Sequence, residues 1–223
     1  LFEELPKEVL NIIFILSDLA YDKKCPKHVA IFCTSNNGLH KNVYTLPYFL
    51  EEHNKNYNPI YTELPRISFC GALTHPCRYQ CLKSLQDNIL IETDFIIRKE
   101  FWGGKPHDKN IVSAYNDNIK NSTYVLCNRG NGNFSMRLYH TLEAGRIPVM
   151  LRPSNPLPFE GMVDYEDCII FCDSPEEMPK KILENHSKDS TIDRQLRCRK
   201  LYENFLSSKS FERSSINFLN LEK

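Results

Sequence analysis

The chain has 223 residues, 41% of them hydrophobic, enough for one large domain or two small ones around a real core. Lys plus Arg number 28 and Asp plus Glu also 28, so no global field draws the protein to nucleic acid or to an anionic membrane, and any anion site must be local. No apolar run approaches the roughly 20 residues that cross a bilayer, so no membrane contact is expected from this chain.

In chain order, a helix is predicted over residues 7–20 and a buried strand over 28–33 (HVAIFC). Next come a helix over 76–86, a strand over 89–93 (NILIE), a helix over 108–119 and a strand over 123–127 (TYVLC). The pattern continues with a helix over 134–145, strands over 147–151 (IPVML) and 167–172 (DCIIFC), and a helix over 175–185. Strands and helices in strict turn imply a parallel sheet covered on both faces, a Rossmann-like α/β lobe. The apolar spacing of Ile192, Leu196, Leu201 and Phe205 predicts amphipathic helices across 191–218 that pack back on the lobe. The expected organisation is an irregular segment over 1–64, the lobe over 65–188 and the tail over 189–223.

The most informative stretch runs from Asn121 to Pro158: a buried strand, a Gly/Asn-rich loop and a helix. Gly130 and Gly132 permit tight turns and close approach of a ligand to the backbone, while the amides and positive dipole end of the following helix favour phosphate. Arg129 and Arg137 add two permanent charges that could grip a diphosphate bidentately. The loop follows a strand's carboxyl end, where open α/β sheets bind ligands. Without the Walker GK[ST] or the GxGxxG order, the spacing alone leaves two readings open: a bound phosphate, or an ordinary loop capped by arginine.

The same stretch resembles the exostosin family of glycosyltransferases, which carries S/A-x-F-x-L-x-P-R-G, a linker, then R-x-x-E-A-L-x-x-G/A-x-x-P-V. Here stand Asn121-Ser122-Thr123-Tyr124 through Arg129-Gly130, then Arg137, Leu142, Gly145, Pro148 and Val149. Leu157-Pro158-Phe159 and Val163-Asp164-Tyr165 continue the similarity, and upstream Phe69-Cys70-Gly71 with Arg78 is similar to the family's F-x-G and its following Arg. The segment NVYTLPYF, from Asn42 to Phe49, resembles its D-V-x-I-P-x-F more loosely.

The resemblance implies a GT-B fold with residues 1–64 as a partial or reduced, acceptor-side amino-terminal lobe. It also implies an inverting transfer from a UDP-sugar donor to a hydroxyl of a glycan or glycoprotein acceptor. Arg78, Arg129, Gly130, Ser135, Arg137, His140 and Glu143 become the donor-binding candidates. Positioned cations would stabilise the departing nucleoside diphosphate, so neither cofactor nor metal is expected. The chain also lacks Asp-x-Asp, with Glu92-Thr93-Asp94 its nearest approximation. His140 departs from the family, which places Glu there; Glu143, one helical turn on, is a candidate to take over the ribose hydroxyls. The alternative function is a catalytically inactive glycan- or nucleotide-binding homologue that acts as a partner subunit.

An inverting transfer also needs a base, and Glu92, Asp94, Glu100, His40 and His75 are the candidates, none singled out. The exposed-aromatic pattern Phe101-Trp102-Gly103-Gly104 could stack on a sugar or belong to the core. Nine cysteines without CxxC pairs or zinc-like Cys/His spacing, with Cys33, Cys127 and Cys172 in apolar runs, read as core thiols of a reducing compartment. The expected location is therefore cytoplasmic. A Golgi or ER lumenal location is the alternative if an amino-terminal anchor has been removed.

Overall fold

The computed structural model describes residues 2–48 and 57–222. Phe49, the end of the NVYTLPYF segment, lies outside the described residues. Among the described residues two parallel sheets are present. The first orders three strands as β1 (Asn11–Ile15), β2 (Val29–Cys33) and β3 (Val43–Thr45), with β1 and β2 paired residue for residue from Asn11↔Val29 to Ile15↔Cys33. The predicted 7–20 helix is thus a strand. Ile12, Ile13 and Ile15 are stiff β-branched residues, and β2 offers a parallel edge that satisfies their backbone along its length.

The second sheet orders β5 (Glu92–Arg98), β4 (Arg66–Ala72), β6 (Tyr124–Leu126), β7 (Ile147–Leu151) and β8 (Ile170–Cys172), all parallel. Helices α1 (Pro76–Gln86), α2 (Lys109–Lys120) and α3 (Met136–Glu143) join its strands, and α4 (Met178–Glu184) follows β8. The tail forms the expected helices, α5 (Lys188–Leu201), a π-helical turn Tyr202–Leu206 and α6 (Phe211–Leu221), but α5 buries Thr191, Gln195, Cys198 and Leu201 while Leu196 is 39% exposed. Sequence reasoning missed β4, and it set the next strand at 89–93 where β5 covers Glu92–Arg98. Register decides the shift: Arg66 to Ala72 pair with Glu92 to Arg98, leaving Ile89 93% exposed in the preceding turn.

Side chains alternate across the second sheet with the strand period of two. Tyr124, Leu126, Ile147, Val149, Ile170 and Cys172 face α1 and α4 in one core. Val125, Cys127, Met150 and Phe171 face the other, which also takes Leu138 and Leu142 of α3, Cys198 and Leu201 of α5, and Phe218 of α6. Ala30, Phe32 and Leu46 from the amino-terminal segment complete that second core, so it draws on residues from all three segments of the chain. Among the described residues no helix is long and apolar enough to cross a membrane.

The strand order dictates where a ligand can enter. The chain runs outward from β4 to β5, then returns to β6 on β4's other side and continues to β7 and β8. The connections leaving β4 and β6 therefore diverge, and a crevice opens between their carboxyl ends, the topological switch point of an open α/β sheet.

Candidate functional site

Two helix amino termini flank this crevice. His75 caps α1, its Nδ1 accepting from Cys77 N at 3.3 Å, and Ser135 caps α3, its Oγ accepting from Arg137 N at 3.3 Å. Each capped terminus still presents amides and the positive end of its dipole.

Arg78 on α1 and Arg137 on α3 line the floor, each only 5% exposed. Arg78 donates through Nε to Arg129 O at 2.9 Å, through Nη1 to Ala72 O at 2.7 Å and through Nη2 to Asn128 O at 3.3 Å. Arg137 donates through Nη2 to Cys70 O at 2.6 Å and through Nη1 to Leu126 O at 3.4 Å. Both guanidiniums lie against the Phe69 ring, 5.8 Å and 4.3 Å from its centroid. These contacts give the Phe-x-Gly pattern its physical meaning: Phe69 is the ring beneath the two cations, and any side chain at Gly71 would collide with the Arg137 guanidinium.

Arg129 is half-buried and donates only weakly, to Asn131 O at 3.4 Å. None of these three arginines pairs with a carboxylate among the described residues. Burial, and after it the charge of Arg137, pushes Arg78 down to about 10, so it stays charged at neutral pH in a crevice with surplus positive charge. Arg129 Nε, Arg137 Nε and Thr74 Oγ1 are buried there without a protein partner. An anion in the crevice would neutralise the surplus charge and satisfy these buried donors.

Gly130 lies so close to Arg78 that an added methyl would stand 2.9 Å from Nη2. Asn128, missed from the sequence, locks the loop: its Nδ2 donates to Cys81 Sγ at 3.0 Å and its Oδ1 accepts from Leu151 N at 2.8 Å. Nothing local marks Asn128, because its partners belong to α1 and β7.

The glycine loop also touches the first sheet. A methyl on Gly132 would stand 2.9 Å from the Tyr48 hydroxyl, 3.1 Å from Ser35 Oγ and 3.2 Å from Asp18 Oδ1. Asn133 donates from its backbone to Ser35 Oγ at 3.4 Å and from Nδ2 to Asn36 O. Ser35 and Asn36 follow β2, Asp18 follows β1 and Tyr48 follows β3, so the carboxyl end of the small sheet converges on the same loop.

The remaining candidates divide. His140 is buried on α3, one turn beyond Arg137, with Nδ1 3.0 Å from the Tyr115 hydroxyl. Glu143 is fully buried in the last turn, its backbone carbonyl accepting from Arg199. It closes the helix that Met136 opens, a rise of about 10 Å from the crevice-facing terminus. Glu92 and Asp94 occupy the amino half of the edge strand β5, away from the crevice, and Asp94 is paired with Arg66 at 3.3 Å. Glu100 is exposed past the carboxyl end of β5, ahead of Phe101 and Trp102, which are 53% and 54% exposed. His40 lies between β2 and β3, with Nε2 2.8 Å from Asp22 O. His75 alone of the five base candidates borders the crevice.

Of the chain, residues 28–186 match the exostosin GT47 domain. A 59-residue stretch is 39% identical to exostosin-1 of Drosophila melanogaster, covering 26% of this chain and 8% of that protein. Among solved structures, TarM matches with a TM-score of 0.53 at 10% identity, over 86% of this chain and 43% of TarM. A point mutant of S. aureus TarM in complex with fondaparinux, alpha-GlcNAc-glycerol and UDP matches with a TM-score of 0.50 at 11% identity, over 87% of this chain and 51% of that one. The architecture is that of GT-B glycosyltransferases, of whose length the chain spans about half. With its switch-point crevice, its glycine loop and more than half its length matched, the chain belongs to the exostosin GT47 domain family.

Proposed function

We propose that the protein transfers a sugar from a UDP-sugar to a glycan hydroxyl with inversion at the anomeric carbon. The observation that carries this reading is the set of Arg78, Arg129 and Arg137 around one crevice, unpaired with carboxylates among the described residues and flanked by two helix amino termini. In a displacement, negative charge grows on the departing diphosphate. Fixed cations in a partly dry crevice favour that charge more than the spread charge of the intact donor, and this difference accelerates transfer. Three arginines supply the compensation a metal would otherwise give, so turnover is expected to survive EDTA. The UDP held by the structurally similar TarM mutant supports the choice of nucleotide.

A second reading is a nucleotide-binding partner subunit without turnover. It is favoured by His140, which stands where the family has Glu and whose Nδ1 is engaged by Tyr115.

The test is release of UDP from UDP-xylose, UDP-galactose and UDP-glucuronic acid, each with a mixture of methyl glycosides as acceptors, with and without EDTA. Turnover insensitive to EDTA supports the transferase. UDP binding without turnover of any donor supports the partner subunit.

A further inference from the structure

We propose that Asp18 is the general base of the transfer, an assignment that rests on the transferase reading above. The residue follows β1 in a turn clamped to the end of β2: Ser17 N donates to Thr34 Oγ1 at 2.9 Å, Thr34 Oγ1 donates to Ser17 O at 2.8 Å, and Thr34 N donates to Ile15 O at 3.1 Å. The carboxylate itself is exposed, yet its direction is set, because the Tyr48 hydroxyl donates to Oδ1 at 2.8 Å. Tyr48 is in turn held against the Tyr139 ring, with centroids 5.8 Å apart. Burial first, and the Asp18 carboxylate after it, push the Tyr48 hydroxyl well up, so it remains a proton donor to Asp18 throughout the working pH range.

The placement relative to the cationic crevice is what makes the carboxylate useful. Asp18 Oδ1 lies 3.2 Å from where a methyl on Gly132 would stand, and Gly130 packs against Arg78 on the crevice side. Two residues of chain span at most about 7 Å. The carboxylate of one sheet and the cationic crevice of the other therefore border the same glycine loop. A single displacement needs its base and its leaving-group cradle at one site, and the shared loop brings the two together. Among the candidates named from sequence, Glu92 and Asp94 sit at the wrong end of β5, His40 is held at Asp22 O, His75 is engaged in capping α1, and Glu100 lies beyond the outer strand.

In the step, the acceptor O–H proton passes to Asp18 while the oxygen's electron pair bonds to the sugar's anomeric carbon. The bond from that carbon to the diphosphate oxygen breaks, and its electron pair leaves on UDP beside Arg78, Arg129 and Arg137. Asp18 then returns the proton to solvent.

Asp18→Asn tests the assignment, since the amide keeps the shape and can still accept from Tyr48. In the same UDP-release assay, kcat should fall on the order of a hundredfold or more. Affinity for UDP, measured by calorimetry, should stay within about twofold of wild type if the carboxylate serves only the acceptor. Transfer that stays close to the wild-type rate would overturn the assignment, and so would parallel loss of transfer and UDP affinity, which marks a structural role. Wild-type protein that turns over no UDP-sugar overturns the transferase reading itself, and this assignment falls with it.

Discussion

Arg78 and Arg137 brace the crevice in opposite directions. Arg78, which follows β4, holds the carbonyls of Asn128 and Arg129 after β6; Arg137, which follows β6, holds the carbonyl of Cys70 within β4. Each cation thus fixes the backbone that flanks the other. The two braces cross between β4 and β6, so the surplus charge is pre-positioned rather than recruited.

Arg129 and Arg137 should separate binding from folding. Arg129→Ala removes a half-buried charge with one long bond, so UDP affinity should fall by about 1–3 kcal/mol while stability in urea stays within about 0.5 kcal/mol. Arg137→Ala should weaken UDP similarly and also destabilise the protein by about 1–3 kcal/mol, because the buried Cys70 carbonyl loses its side-chain donor. Calorimetry with UDP and urea titration of both variants provide the check.

Gly130→Ala places a methyl 2.9 Å from Arg78 Nη2 and 3.4 Å from Thr74 Oγ1, so the guanidinium must shift against the carbonyls that hold it. Overpacking of this kind costs about 1–3 kcal/mol, and UDP affinity is expected to drop about tenfold with the circular dichroism spectrum unchanged. Wild-type affinity would show that Arg78 can move without cost.

His140→Leu should cost about 1–3 kcal/mol in thermal or urea unfolding, since the Tyr115 hydroxyl is left buried without this partner. His140→Gln, which can still bond Tyr115, should recover most of that loss. Equal stabilities for the two variants would show that the Tyr115 bond contributes nothing.

Stability should fall steeply above about pH 9. Burial is the first cause in each case that pushes Cys33, Cys127 and Cys172 up to about 11 and Cys81 to about 12, whereas an unfolded thiol ionises near about 8.5 to 9. An acid whose folded pKa is raised binds more protons when folded, so its contribution is intact below about pH 9. It is lost between about 9 and 11 for the first three and continues to fall towards about 12 for Cys81. Each thiol takes away up to about 1.4 kcal/mol per pH unit in its window. Urea midpoints at about pH 7, 9 and 10 test this, and a flat profile would place these thiols in contact with water.

The glycine loop and its helix were legible because everything that defines them is local: two glycines, two arginines, a capping Ser135 and a buried strand within one short stretch. The first strand was not. The 7–20 segment has helix-compatible apolar spacing, and only pairing with Val29–Cys33 makes it β1, a contact no window of the sequence contains. Asp18 is hidden for the same reason. Alone it is one acidic residue in a polar turn, and its significance comes from Tyr48, thirty positions away, and from Gly132 in the loop of the other sheet. His140 was visible as a departure from the family's pattern, but its Tyr115 partner on α2 was not.

The carbonyl of Asn36 accepts amide hydrogens from both Asn133 and Asn155, while Thr45 Oγ1 donates to Pro156 O at 2.7 Å. These bonds act as rivets between the small sheet and two loops of the large one. Any hinge motion that parts the sheets must break them together. In mechanical terms the site is a riveted slot rather than a pair of jaws.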